Sequence, residues 1–194
     1  MKPKISVLIP TFNRYERLKK TLPTFLKTQA IEAEFIIIDN CSTDKTVDYV
    51  EEIIEKDKRI RLIKNNSNLG AQKSQFRGYC EVNSPFVIFM SDQYLMKGDY
   101  IYQCYEIFKK HENVGLIHHL VTGWQYSKKQ GYEIFKKGES AVSEIFMKSG
   151  GYPGLAWRMS KFSLFDFPIS AQTKYPQVKI SLEIASENDI AIIF

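Results

Sequence analysis

Runs of apolar residues recur along the first half of the chain, and each run is followed at once by a short polar segment. Residues 5–9, 35–38 and 86–90 form these runs, and many of their side chains are β-branched. A strand with one solvated face alternates apolar and polar residues, whereas a strand buried on both faces is apolar almost throughout. The three runs therefore predict interior strands of a parallel sheet.

Helical spacing of apolar side chains fills the gaps between these strands. Leu18, Leu22 and Phe25 fall on one face of a predicted helix, and Val50 and Ile54 mark another. A short alternating strand over 60–63 and a helix over 71–82 complete a β-α-β-α-β-α-β order. That order predicts an α/β fold with a mostly parallel central sheet, flanked by crossover helices.

The second half of the chain has weaker patterns. The segment from 123 to 138 alternates aromatic residues and lysines, which is typical of a hairpin or a flap, and 178–185 fits either a strand or a helix. The apolar end at 190–194 is typical of a docked strand or of a cut in a longer chain. The other predicted elements are a helix over 99–111, a strand over 114–121, a short helix over 140–147 and a strand over 155–159.

Polar side chains follow the three apolar strands where each one ends. Thr11 and Asn13 follow the first strand, Asp39 ends the second, and Asp92 follows the third. The carboxyl ends of parallel strands lie at one edge of an open α/β sheet, where ligands bind, so these groups are expected to converge on a ligand site. Two structural alternatives stay open, in which Asp39 caps the next helix and Thr11 and Asn13 cap the helix after the first strand.

Composition narrows the class of protein. The chain has 194 residues, 44% hydrophobic and 25% charged, as expected for one globular domain with a full core. The net charge of +5 suits a phosphate-bearing ligand or an anionic membrane surface. Lysines and acids are interspersed along the chain, which argues against a nucleic-acid partner. The three cysteines have no metal-ligand spacing and favour a reducing compartment, and with no signal peptide or membrane span expected, a cytoplasmic protein is predicted.

Three segments together resemble the family 2 glycosyltransferases of GT-A fold. They are residues 6–14, residues 36–46 and the loop at 68–70, where Gly70 is expected to have a positive φ, and their order and spacing match the family. The resemblance implies an inverting transfer of a sugar from a nucleotide-diphosphate sugar, most often UDP-linked, to a hydroxyl acceptor. It also implies a role in surface polysaccharide or glycolipid synthesis. On this view residues 1–98 form the donor-binding half and residues 99–194 the acceptor-side half.

The resemblance assigns roles to individual residues. Those implied to bind the nucleotide-sugar are Pro10, Thr11, Phe12, Asn13, Arg14, Asp39, Asn68, Gly70, Lys73, Arg77, Ser91 and Asp92. Ser91, Asp92 and Gln93 occupy the place of the family's Asp-x-Asp motif, which binds Mg²⁺ or Mn²⁺ through the diphosphate, and Asp92 and Gln93 are the implied metal ligands. The outer aspartates of that motif are Ser91 and Gln93 here, so a metal-free site in which Lys73, Arg77 or Lys97 neutralises the diphosphate is the alternative.

The general base and the acceptor site are less well defined. The family's base is an acid of the acceptor-side half, for which the candidates are Asp166 (the first to test), Glu183, Glu187 and Asp189. Aromatic residues suit sugar rings, and those expected around the acceptor are Trp124, Tyr126, Tyr152 and Trp157. The alternative for each of them is an ordinary place in the core. A lipid-linked acceptor would place the protein at the inner face of the cell membrane.

Two other functions compete with sugar transfer. A non-catalytic nucleotide-sugar-binding domain would explain the degraded metal motif. A nucleotidyltransferase of related fold ranks lower, because the segment after the first strand lacks a glycine-rich loop. The chain has no G-x-G-x-x-G after a strand, which excludes a Rossmann dehydrogenase.

Overall fold

The computed structural model describes residues 2–28, 32–93, 95–96, 99–119, 130–148, 154–162 and 176–194. Within these residues the chain forms one mixed sheet with the strand order β3-β2-β1-β4-β7-β5-β8-β6. The strands are β1 (Ile5–Thr11), β2 (Ala33–Asp39), β3 (Ile60–Lys64), β4 (Phe86–Phe89), β5 (Val114–His119), β6 (Tyr132–Phe135), β7 (Leu155–Arg158) and β8 (Asp189–Ile193). The helices are α1 (Tyr15–Leu26), α2 (Thr46–Lys56), α3 (Ala71–Cys80), α4 (Tyr100–Lys110), α5 (Glu139–Lys148) and α6 (Pro176–Glu187).

The first four strands pair in parallel, as the apolar runs predict. β1 lies between β2 and β4, and β3 lies on the other side of β2. Every residue of β2 is buried because its two faces pack into two different cores. Phe35 and Ile37 pack with α1, α2 and α4, whereas Ile36 and Ile38 pack with α3, α5 and α6. The α/β fold with a mostly parallel sheet is confirmed.

Residues 99–194 extend the same sheet. β7 pairs antiparallel with both β4 and β5, and β8 pairs parallel with β5 and antiparallel with β6. The apolar residues 190–193 are thus a docked strand of the sheet interior. The ambiguous segment at 178–185 is helical, because Ile180, Ile184 and Ala185 project together into the core.

Trp157 contradicts its expected place beside the acceptor. It lies on β7, is fully buried, and contacts the rings of Tyr79 and Phe162. A four-residue strand that joins β4 to β5 must bury its large side chains, and the sequence pattern alone does not reveal that partner choice. Trp124, Tyr126 and Tyr152 lie outside the residues described. No helix in the described part of the chain is both long and apolar enough to cross a bilayer.

Arg158 joins the two halves at the end of β7. Its guanidinium donates to the carbonyl oxygens of Val114, Phe108 and His111, at 2.9, 2.6 and 2.9 Å, and so caps the end of α4. It also lies over the rings of Phe86 and Phe108, at 5.1 and 5.3 Å from their centroids. Burial lowers the pKa of this arginine below its ordinary value.

Replacing Arg158 with methionine is expected to lower the free energy of unfolding by about 2–4 kcal/mol, because three carbonyl groups lose a charged donor. Urea denaturation measures the loss. Arg158→Lys keeps the charge without the planar fork and should recover only part of the stability. Lys110→Met, an exposed change on α4, is the matched control, with an expected effect below about 0.5 kcal/mol. An equal effect of the two methionine variants would contradict this role for Arg158.

Candidate functional site

The polar groups that follow the apolar strands converge at one edge of the sheet. Thr11 is the register partner of Asp39 at the ends of β1 and β2. The Thr11 hydroxyl donates to Oδ2 of Asp92 at 3.1 Å, across the end of β4. Asp39 is 2% exposed and Asp92 is 6% exposed, so both residues are buried at this edge of the sheet. We call this group, Thr11, Asp39 and Asp92, the rim.

One carboxylate oxygen of Asp39 accepts a hydrogen bond, and the other has no hydrogen-bond partner among the described residues. Its Oδ2 accepts a hydrogen bond from the backbone N–H of Ser42 at 2.9 Å. Its Oδ1 is buried and has no hydrogen-bond partner among the described residues. Leaving a buried carboxylate oxygen without a donor is costly, and in native structures it often marks a ligand's place. Asp39 does not cap α2, since Asp44 performs that role by accepting the N–H of Thr46 at 2.9 Å.

The loops after β1 and β2 hold each other through reciprocal hydrogen bonds. Asn13, at a φ of 51°, accepts the N–H of Thr43 at 2.8 Å through its side chain. In return, the N–H groups of residues 13, 14 and 15 donate to the side chains of Ser42, Thr46 and Asp44. The expectation that Thr11 and Asn13 cap α1 is therefore wrong, because the caps come from the neighbouring loop. These N–H groups at the start of α1 are consequently not available to a ligand.

The same loop fixes the charge of Asp44. Burial raises the pKa of Asp44, but hydrogen bonds from the side chain of Thr46 and from the N–H groups of Tyr15 and Thr46 outweigh it. The net pKa therefore lies below its ordinary value. Asp44 is ionised at neutral pH and serves as a fixed acceptor for both loops.

A network of asparagines supports the next loop of the edge. Oδ1 of Asn40 accepts from Asn65 at 3.0 Å and from the N–H of Leu69 at 2.9 Å, and its Nδ2 donates to Asn68 at 2.8 Å. Gly70 has the expected positive φ, 78°, with open space where a Cβ would be. Asn40 and Asn65 were not among the predicted site residues, although Asn40 directly follows Asp39 and Asn65 opens the asparagine-rich turn.

The remaining predicted residues occupy different places around this edge. Arg77 donates to Asn65 at 2.6 Å and to the carbonyl of Lys64 at 3.2 Å, so its guanidinium supports the loop. Lys73 is exposed on α3. Phe12 is 41% exposed beside the rim, and Pro10 pairs with Ile38 inside the sheet. Lys97 and Asp166 lie outside the described part of the chain.

Asp92 is surrounded by hydroxyl and basic groups. Its Oδ2 lies 3.7 Å from Nε of Arg14, in addition to the bond from Thr11. Burial raises the pKa of Asp92 above its ordinary value, while the bond from Thr11 and the charges of Arg14 and Arg17 act in the opposite direction. Thr21 donates to the backbone carbonyl of Asp92 at 3.2 Å and fastens the segment to α1.

The donor set around Asp92 does not fit a divalent cation held mainly by the protein. Mg²⁺ and Mn²⁺ prefer several carboxylate oxygens, but Ser91 and Gln93 are neutral, and the N–H of Gln93 is bonded to the Ser91 hydroxyl at 3.3 Å. The described residues contain no group of three or more His, Cys, Asp or Glu side chains that could hold a metal ion. Asp92 is thus the single acid of the motif, and one of its oxygens already accepts a hydrogen bond.

Two of the candidate bases lie at the wrong edge of the sheet. β8 runs parallel to β5, and β5 runs parallel to β4 because each pairs antiparallel with β7. Glu187 and Asp189, at the start of β8, therefore lie at the edge opposite Asp92. Asp189 also accepts from Lys136 at 2.9 Å and from the N–H of Lys137 at 3.1 Å.

Comparison with known proteins identifies the family to which the chain belongs. The family described as Glycosyl transferase family 2 matches residues 6–170. The chain belongs to this family. It is 32% identical over 91 residues to a GalNAc(5)-diNAcBac-PP-undecaprenol beta-1,3-glucosyltransferase of Campylobacter jejuni, and 29% identical over 98 residues to TuaG of Bacillus subtilis, a putative teichuronic acid biosynthesis glycosyltransferase. These matches cover 46% and 50% of the chain, but only 29% and 39% of the two relatives.

Solved structures share the fold of this family 2 chain. TarS 1-349 of S. aureus in complex with UDP-GlcNAc superposes with a TM-score of 0.77 at 19% identity, over 100% of the chain and 56% of TarS 1-349. The mannosyltransferase PcManGT of Pyrobaculum calidifontis, in complex with GDP-Man and Mn²⁺, gives 0.71 at 12% identity, over 99% and 57%. At these identities the likeness shows the GT-A fold alone.

Cys41, within the loop after β2, has a φ of 68°. The left-handed region costs a side-chain-bearing residue about 1–2 kcal/mol, and glycine avoids most of that cost. Replacing Cys41 with glycine is expected to raise the free energy of unfolding by about 0.5–1 kcal/mol, after allowing for the greater chain entropy of glycine. Cys41→Ala removes the thiol but keeps the Cβ and should give no such gain. Chemical denaturation of the two variants distinguishes strain from thiol chemistry.

Asp92→Asn is expected to change stability in a pH-dependent way. The raised pKa of Asp92 means that its ionised form disfavours folding, a cost present at neutral pH and relieved as pH falls through that pKa. The variant should therefore gain in melting temperature relative to the wild type at pH 7, and the gain should shrink towards pH 4. Thermal unfolding at both pH values measures the difference, with the exposed Asp48→Asn as the control. A gain that is larger at pH 4 would reverse the sign and contradict the assignment.

Proposed function

We propose that the chain is an inverting glycosyltransferase. It transfers a sugar from a nucleotide-diphosphate sugar, UDP-linked, to a hydroxyl of a surface polysaccharide or glycolipid precursor. The observation that supports it best is the rim, where the unpartnered Oδ1 of Asp39 lies one strand away from the Thr11–Asp92 pair. In this proposal residues 1–98 bind the donor and residues 99–194 face the acceptor.

The Asp39 end of the rim suits a nucleobase. A uracil ring carries one N–H donor, and the buried Oδ1 of Asp39 lacks a donor. Phe12 is 41% exposed next to this end, and its ring offers a stacking surface for the base. The loop held by the Asn40 network borders the same place, because Asn40 follows Asp39 directly and bonds Leu69 and Asn68. The base is thereby recognised by one charged acceptor and one aromatic face.

The Asp92 end suits the diphosphate and the chemical step. The leaving diphosphate gains negative charge as the sugar bond breaks, so fixed positive groups there lower the barrier. Among the residues that the structure describes, Arg14 is the basic group that forms an ion pair with Asp92, at 3.7 Å. Inversion requires the acceptor hydroxyl to attack from the opposite face of the sugar while a general base takes its proton. Asp166 is still the predicted base. Since the donor set does not fit Mg²⁺ or Mn²⁺, we derive no step through a metal ion.

The acceptor is proposed from the names of the relatives. The Campylobacter enzyme is named for an undecaprenol-linked glycan and the Bacillus protein for teichuronic acid, both of which are cell-surface polymers or their precursors. The net charge of +5 is compatible with a lipid-linked acceptor at an anionic membrane surface. We therefore place the protein in the cytoplasm, at the inner face of the membrane.

Asp39→Asn tests the donor site directly. Replacing a charged acceptor with a neutral amide should weaken UDP binding about 10–100-fold, because hydrogen bonds to charged groups are worth about 1.5–3 kcal/mol. Isothermal titration with UDP measures the affinity. Asp48→Asn, the same change at an exposed position of α2, should leave it within about twofold. Equal affinities of the wild type and the Asp39→Asn protein would contradict this base site.

Turnover distinguishes transfer from binding alone. Incubation with a panel of UDP-sugars and a lipid-linked saccharide acceptor should yield free UDP together with a glycosylated product. Tight UDP binding without turnover of any donor would favour the non-catalytic nucleotide-sugar-binding domain instead.

A further inference from the structure

Asp92, the single acid of the motif after β4, already interacts with other side chains of the protein. Oδ2 of Asp92 accepts from the Thr11 hydroxyl at 3.1 Å and lies 3.7 Å from Nε of Arg14. The positive charge of Arg17, one turn further along α1, also acts on this carboxylate. A carboxylate that accepts from a hydroxyl and lies 3.7 Å from a guanidinium group is arranged as an ion pair, and its neighbours Ser91 and Gln93 add no further acid.

The segment that carries Asp92 is fastened to α1 at two further points. The Thr21 hydroxyl donates to the carbonyl oxygen of Asp92 at 3.2 Å. One turn later, the Thr24 hydroxyl accepts the N–H of Met96 at 3.2 Å. These bonds hold the segment against the helix that bears Arg14 and Arg17, so the acid and the two arginines form one structural unit.

The two arginines still have groups available for a ligand. The side chain of Arg14 is 42% exposed, and Arg17 is also exposed. Both line a cavity of about 390 Å³ whose other charged side chains are Lys45, Glu16 and Asp44. The carboxylate of Asp44 is bonded to the N–H groups of Tyr15 and Thr46. The N–H of Tyr15, the first residue of α1, is bonded to Asp44, and the N–H groups of Asn13 and Arg14 just before it are bonded to Ser42 and Thr46, so these three donors are not free to bind an anion. Guanidinium groups bind phosphate oxygens in a two-pronged geometry that lysine lacks.

We propose that Arg14 and Arg17 neutralise the diphosphate of the nucleotide in place of a divalent cation, and that Asp92 positions Arg14 and does not ligate a metal. This inference rests on the proposed nucleotide-sugar site. Of the cations expected from the sequence, Arg77 is bonded to Asn65, Lys73 lies on α3 rather than beside Asp92, and Lys97 lies outside the described residues.

Isothermal titration of the full chain with UDP, in EDTA and then in Mn²⁺, provides the first test. The UDP dissociation constants in the two buffers should agree within about threefold. If instead a metal ion linked Asp92 to the diphosphate, Mn²⁺ should lower the dissociation constant by about tenfold or more, the contribution of one charged contact. Arg14→Gln should weaken binding about tenfold or more in both buffers. Lys20→Gln, which removes the same charge from an exposed position of α1, is the matched control and should stay within about twofold.

Asp92→Asn distinguishes a metal-ligating Asp92 from an Asp92 that only positions Arg14. If Asp92 ligated a cation, its loss would weaken UDP binding in Mn²⁺. If Asp92 only positions Arg14, the variant should change UDP binding by the same factor in EDTA and in Mn²⁺, because no metal contact is lost. Arg14→Lys keeps the charge but loses the paired N–H donors of the guanidinium group, and this variant should bind UDP with intermediate affinity. Melting temperatures of the variants exclude unfolding as the cause.

The outcomes distinguish this inference from the proposed function. UDP binding that is strengthened about tenfold or more by Mn²⁺ and weakened by Asp92→Asn would overturn the arginine scheme but leave a nucleotide site in place. An unchanged affinity of the Arg14→Gln protein would also overturn the scheme. Failure of the wild-type chain to bind UDP in either buffer would overturn the UDP site and the arginine scheme together.

Discussion

The parallel pairing of β1 with β2 and β4 is the interaction on which the rest of this structure depends. Because each strand is buried on both faces, a slip of one residue would move a whole set of isoleucine and valine side chains into the wrong core. The register is therefore strongly specified, and it sets Thr11 opposite Asp39 and next to Asp92. The chemistry of the rim follows from apolar packing several residues away.

The loops above these strands are built by exchange between neighbours. Asn13 serves the loop after β2, and Ser42, Asp44 and Thr46 serve the start of α1. Asn13 and Cys41 both have positive φ values without being glycine, so the packing around them maintains two locally unfavourable conformations. This exchange makes the edge rigid. It also engages the backbone N–H groups of residues 13–15, which would otherwise point outward at the start of α1.

The second half of the chain completes the sheet with both parallel and antiparallel strand pairs, whereas the first four strands are all parallel. β7 inserts antiparallel between β4 and β5, so the central sheet is continuous across both halves. Arg158 ties the end of β7 to the end of α4. Membership of glycosyl transferase family 2 and the shared GT-A fold agree with this plan. At Ser91, Asp92 and Gln93, where the resemblance to the family implies an Asp-x-Asp motif, Arg14 lies 3.7 Å from the single acid.

The sequence by itself determined the parallel core, the helices between its strands and the convergence of Thr11, Asp39 and Asp92, because apolar periodicity and strand polarity are local properties that fix which ends meet. Only the tertiary structure decided which groups those ends contact. That Asn13 caps a different loop, that Arg77 bonds Asn65 and that Arg14 faces Asp92 depends on side chains from segments at least 12 residues apart in the chain. The placement of Trp157 in the core and of Asp189 at the far edge likewise follows from how β7 and β8 pair, and strand partners distant in the chain leave no signal in a local pattern.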